Sequence, residues 1–308
     1  MPTEKTRIGP ILTQEDGLKV RETYLRLDHR TDLYIKEKWR PSDASLPPTV
    51  LLHGAGMDGA GYDVPVEDVS LLDALARAGS RAYAFDFRGH GRSSRVADGT
   101  AVTVETSVTD TLAVLDYVAE VTGRGQAVLV GESFGSIVAP VVAERVPEQV
   151  AGLALLGLIY RTAGADLDEA LAELARVPGG YAFTTEEEWP EQYIPSASPA
   201  VTAWHQAQFG TAYAYPVGPY LGVGQLPHLR RPERIRSHVL VVIGDLDPYA
   251  TLGDTEAFLT AVSGAASTRH LRQEGVGHLP YVESQARAVQ EAIIGLLELA
   301  NQDFQSMM

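Results

Sequence analysis

The stretch Ala127-Val128-Leu129-Val130-Gly131-Glu132-Ser133-Phe134-Gly135-Ser136-Ile137 decides how this chain is read. Four consecutive apolar residues with no alternation predict a strand covered on both faces. Gly131-Glu132-Ser133-Phe134-Gly135 follows at once, and the apolar segment Ile137 to Ala143 predicts a helix. A serine on such a strand-to-helix turn is held in a strained backbone conformation, and the flanking glycines let strand and helix pass closely. Its hydroxyl is then exposed at the strand's C-terminal edge. Amides at the start of the helix, with its dipole, favour negative charge beside the serine. A G-x-S-x-G string arises by chance in roughly one chain in ten of this length, so the weight rests on its setting. Pro140 falls within the first two turns, where its missing N–H predicts a kink.

Working outward, Lys19 to Asp28 and Asp32 to Arg40 alternate with period two and predict a hairpin turning near His29 to Thr31. Thereafter short apolar runs recur: Val50 to Leu52, Ala82 to Phe85, Leu153 to Leu158 and Val239 to Ile243, with a last strand around Thr268 to Leu271. Helical spacing appears between and after them, in Val69 to Ala78, Val104 to Glu120 and Val282 to Ala300. Strand and helix in alternation, with long crossovers, predict an α/β fold with a doubly wound, mostly parallel sheet. From Arg161 to about Glu233 the alternation stops. Apart from a helical stretch at Leu167 to Leu174, this part is rich in Gly, Pro and aromatics. So long a stretch without sheet elements predicts an inserted cap or lid at 161–233, with 1–160 and 234–308 forming the core.

The chain has 308 residues and a formal charge of -15. That charge disfavours nucleic acid and anionic membrane as partners, since both want a basic face, and leaves a small-molecule substrate. With no cysteine, disulfides, thiolate catalysis and sulfur-ligated zinc are excluded. Met1 to Gln14 lacks an apolar leader core and no stretch has the length of a membrane span, so the expected location is cytoplasmic. No sequence feature sets the oligomeric state.

A serine hydroxyl becomes a nucleophile when a histidine takes its proton and a carboxylate holds that histidine. The strand Val239 to Ile243 runs into Gly244-Asp245-Leu246-Asp247-Pro248. Asp245 is placed to shape the turn, and Asp247, further into the loop, is the candidate acid. Gly277-His278-Leu279-Pro280 lies in a loop between the last strand and the final helix, and His278 is the candidate base. His270 sits in the strand itself. His29, His205, His228 and His238 precede Asp247 and read as surface or packing residues. For an oxyanion, the turn His53-Gly54-Ala55-Gly56 after Val50 to Leu52 offers the N–H of Ala55, with Gly56 as fallback, and the helix start offers that of Phe134. Asp86 to Ser93 lacks the full dinucleotide glycine pattern and the phosphate-loop lysine, so it reads as a structural loop near the site.

Four blocks together resemble the α/β-hydrolase superfamily, in particular its cap-bearing serine hydrolase group: His53 to Gly56, Asp86 to Ser93 (similar to D-x-R-G-x-G-x-S), Gly131 to Gly135, and Gly244 to Asp247 with Gly277-His278. The resemblance implies an eight-stranded, mostly parallel sheet, a triad of Ser133, Asp247 and His278, and no cofactor; the missing zinc and nucleotide motifs disfavour a metal and phosphoryl transfer. Members similar to haloalkane dehalogenases or epoxide hydrolases carry aspartate where this chain has Ser133, which disfavours alkyl-enzyme chemistry. The superfamily spans many reactions, so the fold does not name one. Hydrolysis of a carboxylic ester or thioester through an acyl-enzyme stands first. Elimination or acyl transfer in a natural-product pathway stands second, and a non-catalytic receptor third. The predicted cap is dense in aromatics, among them Trp189, Trp204 and Tyr213, which would suit a pocket for a medium-to-large, partly apolar molecule.

Overall fold

A computed structural model gives the fold and describes residues 6–41, 45–164, 167–184 and 193–307. Two short strands, β1 (Arg7–Ile8) and β2 (Leu12–Thr13), pair antiparallel with β3 (Lys19–Arg26). β3 turns into β4 (Asp32–Trp39). The turn is made by Asp28, whose Oδ1 accepts the N–H groups of Arg30 at 2.7 Å and Thr31 at 2.9 Å, an aspartate standing in for the backbone acceptor of a turn.

From here strand and helix alternate: β5 (Thr49–Leu52), α1 (Leu71–Arg77), β6 (Ala82–Phe85), α2 (Val104–Thr122), β7 (Ala127–Glu132), α3 (Phe134–Arg145) and β8 (Val150–Leu156). Helix α2 begins with a capping box in which Thr103 and Thr106 satisfy each other's backbone N–H, and it ends on Gly123 in the left-handed region. An excursion follows, holding α4 (Asp168–Leu174), β9 (Tyr181–Phe183), α5 (Pro199–Phe209), β10 (Ala214–Pro216) and α6 (Gly218–Val223). The chain then returns through β11 (His238–Gly244), α7 (Leu252–Ala261), β12 (Ser267–Gln273) and α8 (Ala286–Met307).

The large sheet runs β1-β3-β4-β6-β5-β7-β8-β11-β12, with β2 also on β3. From β6 to β12 every neighbouring pair is parallel. Side chains alternate between its faces: Ala127 and Leu129 join the core beneath α2, α3 and α7, while Val128 and Val130 join the core beneath α1 and α8. That two-sided burial is why β7 reads as an unbroken apolar run. Eight strands have four or more residues, as the resemblance implies, and the two-residue β1 and β2 bring the sheet to ten among the described residues.

Between β8 and β11 the described residues add no strand to the large sheet, but β9 and β10 form a small antiparallel hairpin of their own. Three-residue strands give too few positions for a period to show in sequence. Buried carboxylates pin both ends of the excursion. Asp254 Oδ2 accepts the N–H groups of Tyr160, Arg161 and Thr162 at 2.9 to 3.2 Å. Glu144 Oε2 accepts those of Arg230 and Arg231, each at 2.8 Å. Helix α3 runs from Phe134 to Arg145 with Pro140 inside it. Among the described residues no helix is long and apolar enough to cross a membrane.

Candidate active site

Because β5, β7, β8, β11 and β12 run parallel, the loops at their C-terminal ends gather at one edge of the sheet. Ser133 stands at the end of β7 with φ 50° and ψ -113°. That left-handed backbone is costly for a residue with a side chain and marks the strained turn the sequence predicts. The two glycines are demanded by contact. A Cβ on Gly131 would stand 2.3 Å from the Gly135 carbonyl oxygen, and one on Gly135 would stand 2.0 Å from that of Leu52. Phe134 opens α3, so its N–H has no acceptor within the helix.

Asp247 and His278 come together. Nδ1–H of His278 donates to Asp247 Oδ2 at 2.8 Å, and the two side chains are 5% and 0% exposed. The other carboxylate oxygen of Asp247 accepts the N–H groups of Tyr249 at 2.8 Å and Ala250 at 2.9 Å, so the acid is fixed before it meets the imidazole. Gly157, at φ 58°, lies under this pair: a Cβ there would come within 2.9 Å of His278 Nδ1 and 3.1 Å of Asp247 Oδ2. The His278 loop is tied from two sides. The His278 N–H donates to the Tyr193 carbonyl at 2.8 Å, and Glu283 accepts the Gly277 N–H at 2.9 Å as well as the N–H and hydroxyl of Ser196. Burial pulls the His278 pKa down. The charge and hydrogen bond of Asp247 outweigh it, Glu132 and Glu283 add to them, and the net effect is a rise to about 8.

Ser133 lines the same cavity as His278. Among the described residues no hydrogen bond joins it to His278, whose Nε2 stands 3.7 Å from Glu132 Oε1. Asp245 shapes the turn, accepting the Gly275 N–H at 2.7 Å.

Asp86 to Ser93 props the turn that holds Ala55. His53 Nε2 accepts the Phe87 N–H at 3.1 Å, and His90 Nε2 lies 3.1 Å from the Ala55 carbonyl oxygen. Burial holds both imidazoles well below their ordinary pKa, His90 at about 4, so they remain neutral braces. Asp86 itself accepts the N–H groups of Gly59 and Arg92, each at 2.8 Å.

A cavity of about 280 Å³ opens over Ser133. Gly54 to Met57, Glu132, Phe134 and His278 form its floor, and Leu171, Leu174 and Val223 from the excursion give it aliphatic wall. Four tyrosines, Tyr193, Tyr215, Tyr220 and Tyr249, complete the aromatic lining begun by Phe134. This corrects the expectation for two residues. Trp204 packs edge-on against His205 and Phe209, with ring centroids 5.0 and 6.0 Å away. The Tyr213 hydroxyl donates to Asp58 Oδ2 at 3.1 Å, tying the excursion to the core. Neither lines the cavity, because the aromatic cluster around α5 packs on itself and on the core. Trp189 lies outside the described residues. Tyr249, Gly157, Glu132 and Glu283 escaped the sequence reading. For Tyr249 its place two residues after Asp247 was the available signal.

Known proteins fit this picture. Epoxide hydrolase B of Mycobacterium tuberculosis is 35% identical over 113 residues, which cover 37% of this chain and 29% of that protein. The chain thus aligns with under a third of that relative's length. A thermophilic esterase from Thermogutta terrifontis superposes with a TM-score of 0.67 at 21% identity, covering 90% of this chain and 97% of the other. A 2-hydroxy-6-oxo-6-phenylhexa-2,4-dienoate hydrolase from a Rhodococcus species gives 0.69 at 18% identity, with 91% and 99% covered. At such identities these two structures speak for the fold alone. Residues 49–292 match the alpha/beta hydrolase family. With that match spanning most of the chain, over a parallel sheet that ends in a glycine-bracketed serine, this protein belongs to the alpha/beta hydrolase family.

Proposed function

We propose that the protein is a serine hydrolase of carboxylic esters or thioesters of partly apolar small molecules. The 2.8 Å contact between His278 and Asp247, beside a strained Ser133 at the cavity floor, carries this reading. Substrate binding brings Ser133 Oγ into hydrogen-bond contact with His278 Nε2, a contact that tightens in enzymes once the site is filled. His278 takes the hydroxyl proton as Oγ attacks the carbonyl carbon. Negative charge gathers on the carbonyl oxygen and is met by the N–H groups of Ala55 and Phe134. His278 returns the proton to the leaving alcohol or thiol. Water, activated by the same imidazole, then releases the acid and restores Ser133. The excursion acts as a cap whose leucines and tyrosines hold the acyl or alcohol part.

Similarity to an epoxide hydrolase does not carry epoxide chemistry to this chain. A serine that opened an epoxide would be left as an ether, which water does not cleave as it does an ester. A series of p-nitrophenyl esters tests the proposal. Turnover should peak at acyl chains of about four to eight carbons, as fits a cavity near the small end of ligand sites, and should vanish in Ser133→Ala. Absence of turnover for every ester and thioester, with Ser133 still reactive toward a covalent probe, would point to elimination or transfer instead.

A further inference from the structure

We propose that Glu132, the residue before the serine, is a second carboxylate for His278: it shares the imidazolium charge near Nε2, while Asp247 holds Nδ1, and so sets the pH at which His278 is free to act as a base. This rests on the reading of His278 as the base for Ser133. Glu132 would act through His278 rather than on substrate, and is a positioning residue in that sense.

Glu132 closes β7 with its side chain 1% exposed, on the floor of the cavity. Space for the carboxylate is made by Gly54, where a Cβ would stand 2.5 Å from Oε2. Oε2 is buried with no hydrogen-bond partner among the described residues. Buried carboxylates are normally paired or protonated, and His278 Nε2, 3.7 Å from Oε1, is the cationic partner at hand.

The other groups around the pair do not replace it. The Tyr62 hydroxyl donates to the Leu52 carbonyl at 2.8 Å, and that of Tyr281 to Met57 Sδ at 3.8 Å, so neither proton is given to Glu132. Tyr193 and Tyr249 join hydroxyls at 2.8 Å beside the imidazole. Asp247 and Glu283 are carboxylates and oppose ionisation of Glu132, or favour the imidazolium, without supplying a cation. Burial pushes Glu132 up to about 7; the nearby imidazolium opposes that rise, Asp247 adds to it, and the Gly54 backbone N–H, a neutral donor that supplies no charge to His278, also favours the carboxylate. Glu132 and His278 therefore titrate in the same range, each favouring the other's charged form. Proton transfer from Ser133 would create an imidazolium between two carboxylates, which stabilises the acylation step. At rest the same arrangement keeps a proton on His278 to higher pH.

The test is the rate at which a fluorophosphonate modifies Ser133, followed by intact mass from pH 5 to 10, in the full-length protein and in Glu132→Gln. The wild-type rate should rise through about pH 8. In Glu132→Gln the rise should come roughly one pH unit lower, so that at pH 6.5 the variant keeps about five- to tenfold more of its own plateau rate. Glu132→Asp retains the charge further from Nε2 and should fall between the two, which also serves if the glutamine variant does not fold. Coincident pH profiles for wild type and variants would overturn the role of Glu132 and leave the serine hydrolase reading standing. A wild type that never labels would remove both.

Discussion

Ser133→Ala is expected to lower kcat/KM toward a carboxylic ester by on the order of 10⁵-fold, with the protein still folded. The substitution removes one oxygen and keeps the Cβ, so the backbone at φ 50° is no more strained than before. The glycine contacts that shape the turn, at Gly131 and Gly135, are untouched. Thermal melting should therefore move by no more than a few degrees. What disappears is the acyl-enzyme, and with it the route that divides one difficult step into two. The size of the loss separates mechanisms. If His278 abstracted a substrate proton directly, as in an elimination, removing the hydroxyl would cost about 10- to 100-fold, because the base would remain. Steady-state kinetics on the best p-nitrophenyl ester, with circular dichroism to verify folding, gives the answer.

Asp247→Asn is expected to cost roughly 10³- to 10⁴-fold in kcat with little change in KM. The reason lies in the second oxygen of the acid. Oδ1 accepts the N–H groups of Tyr249 and Ala250, and those two donors would hold the oxygen of an asparagine in the same place. Its NH₂ would then face His278 Nδ1, which would have to accept rather than donate. The imidazole proton would move to Nε2, the nitrogen that must take the proton of Ser133. The raised pKa of His278 would fall as well, since the charge and hydrogen bond of Asp247 are what overcome its burial. The rise in wild-type activity through about pH 8, where His278 loses its proton, should thus shift to lower pH in the variant while the plateau drops. A loss below tenfold would mean that Asp247 does not orient the base.

The elbow was legible because a buried strand, a glycine-bracketed serine and a helix occupy consecutive residues, and each leaves its own local pattern. Asp247 and His278 were legible in a weaker sense, as polar residues in loops after strands, in the chain order the chemistry needs. Parallel strand order then brings those loops together. Glu132 was in plain view inside the motif, but its nearness to His278 Nε2 depends on a loop some 150 residues later. Gly157 looked like any glycine after a strand, and only the contact with the Asp247 and His278 pair shows why a side chain is excluded there. The aromatics of 161–233 defeated composition for a related reason. Their number suggested a pocket lining, but which of them face the cavity depends on how α5 and the β9–β10 hairpin fold back on the core. Trp204 and Tyr213 turned inward, while Tyr215, Tyr220 and Tyr193 line the cavity wall.

Central to this account is an activated serine at the floor of the cavity, and covalent labelling tests it most directly. Incubation with a fluorophosphonate above pH 8 should add a single phosphonyl group per chain, mapped by peptide mass to Ser133, with Ser133→Ala left unmodified. Failure of the folded wild type to react, or modification at another residue that persists in Ser133→Ala, would contradict it.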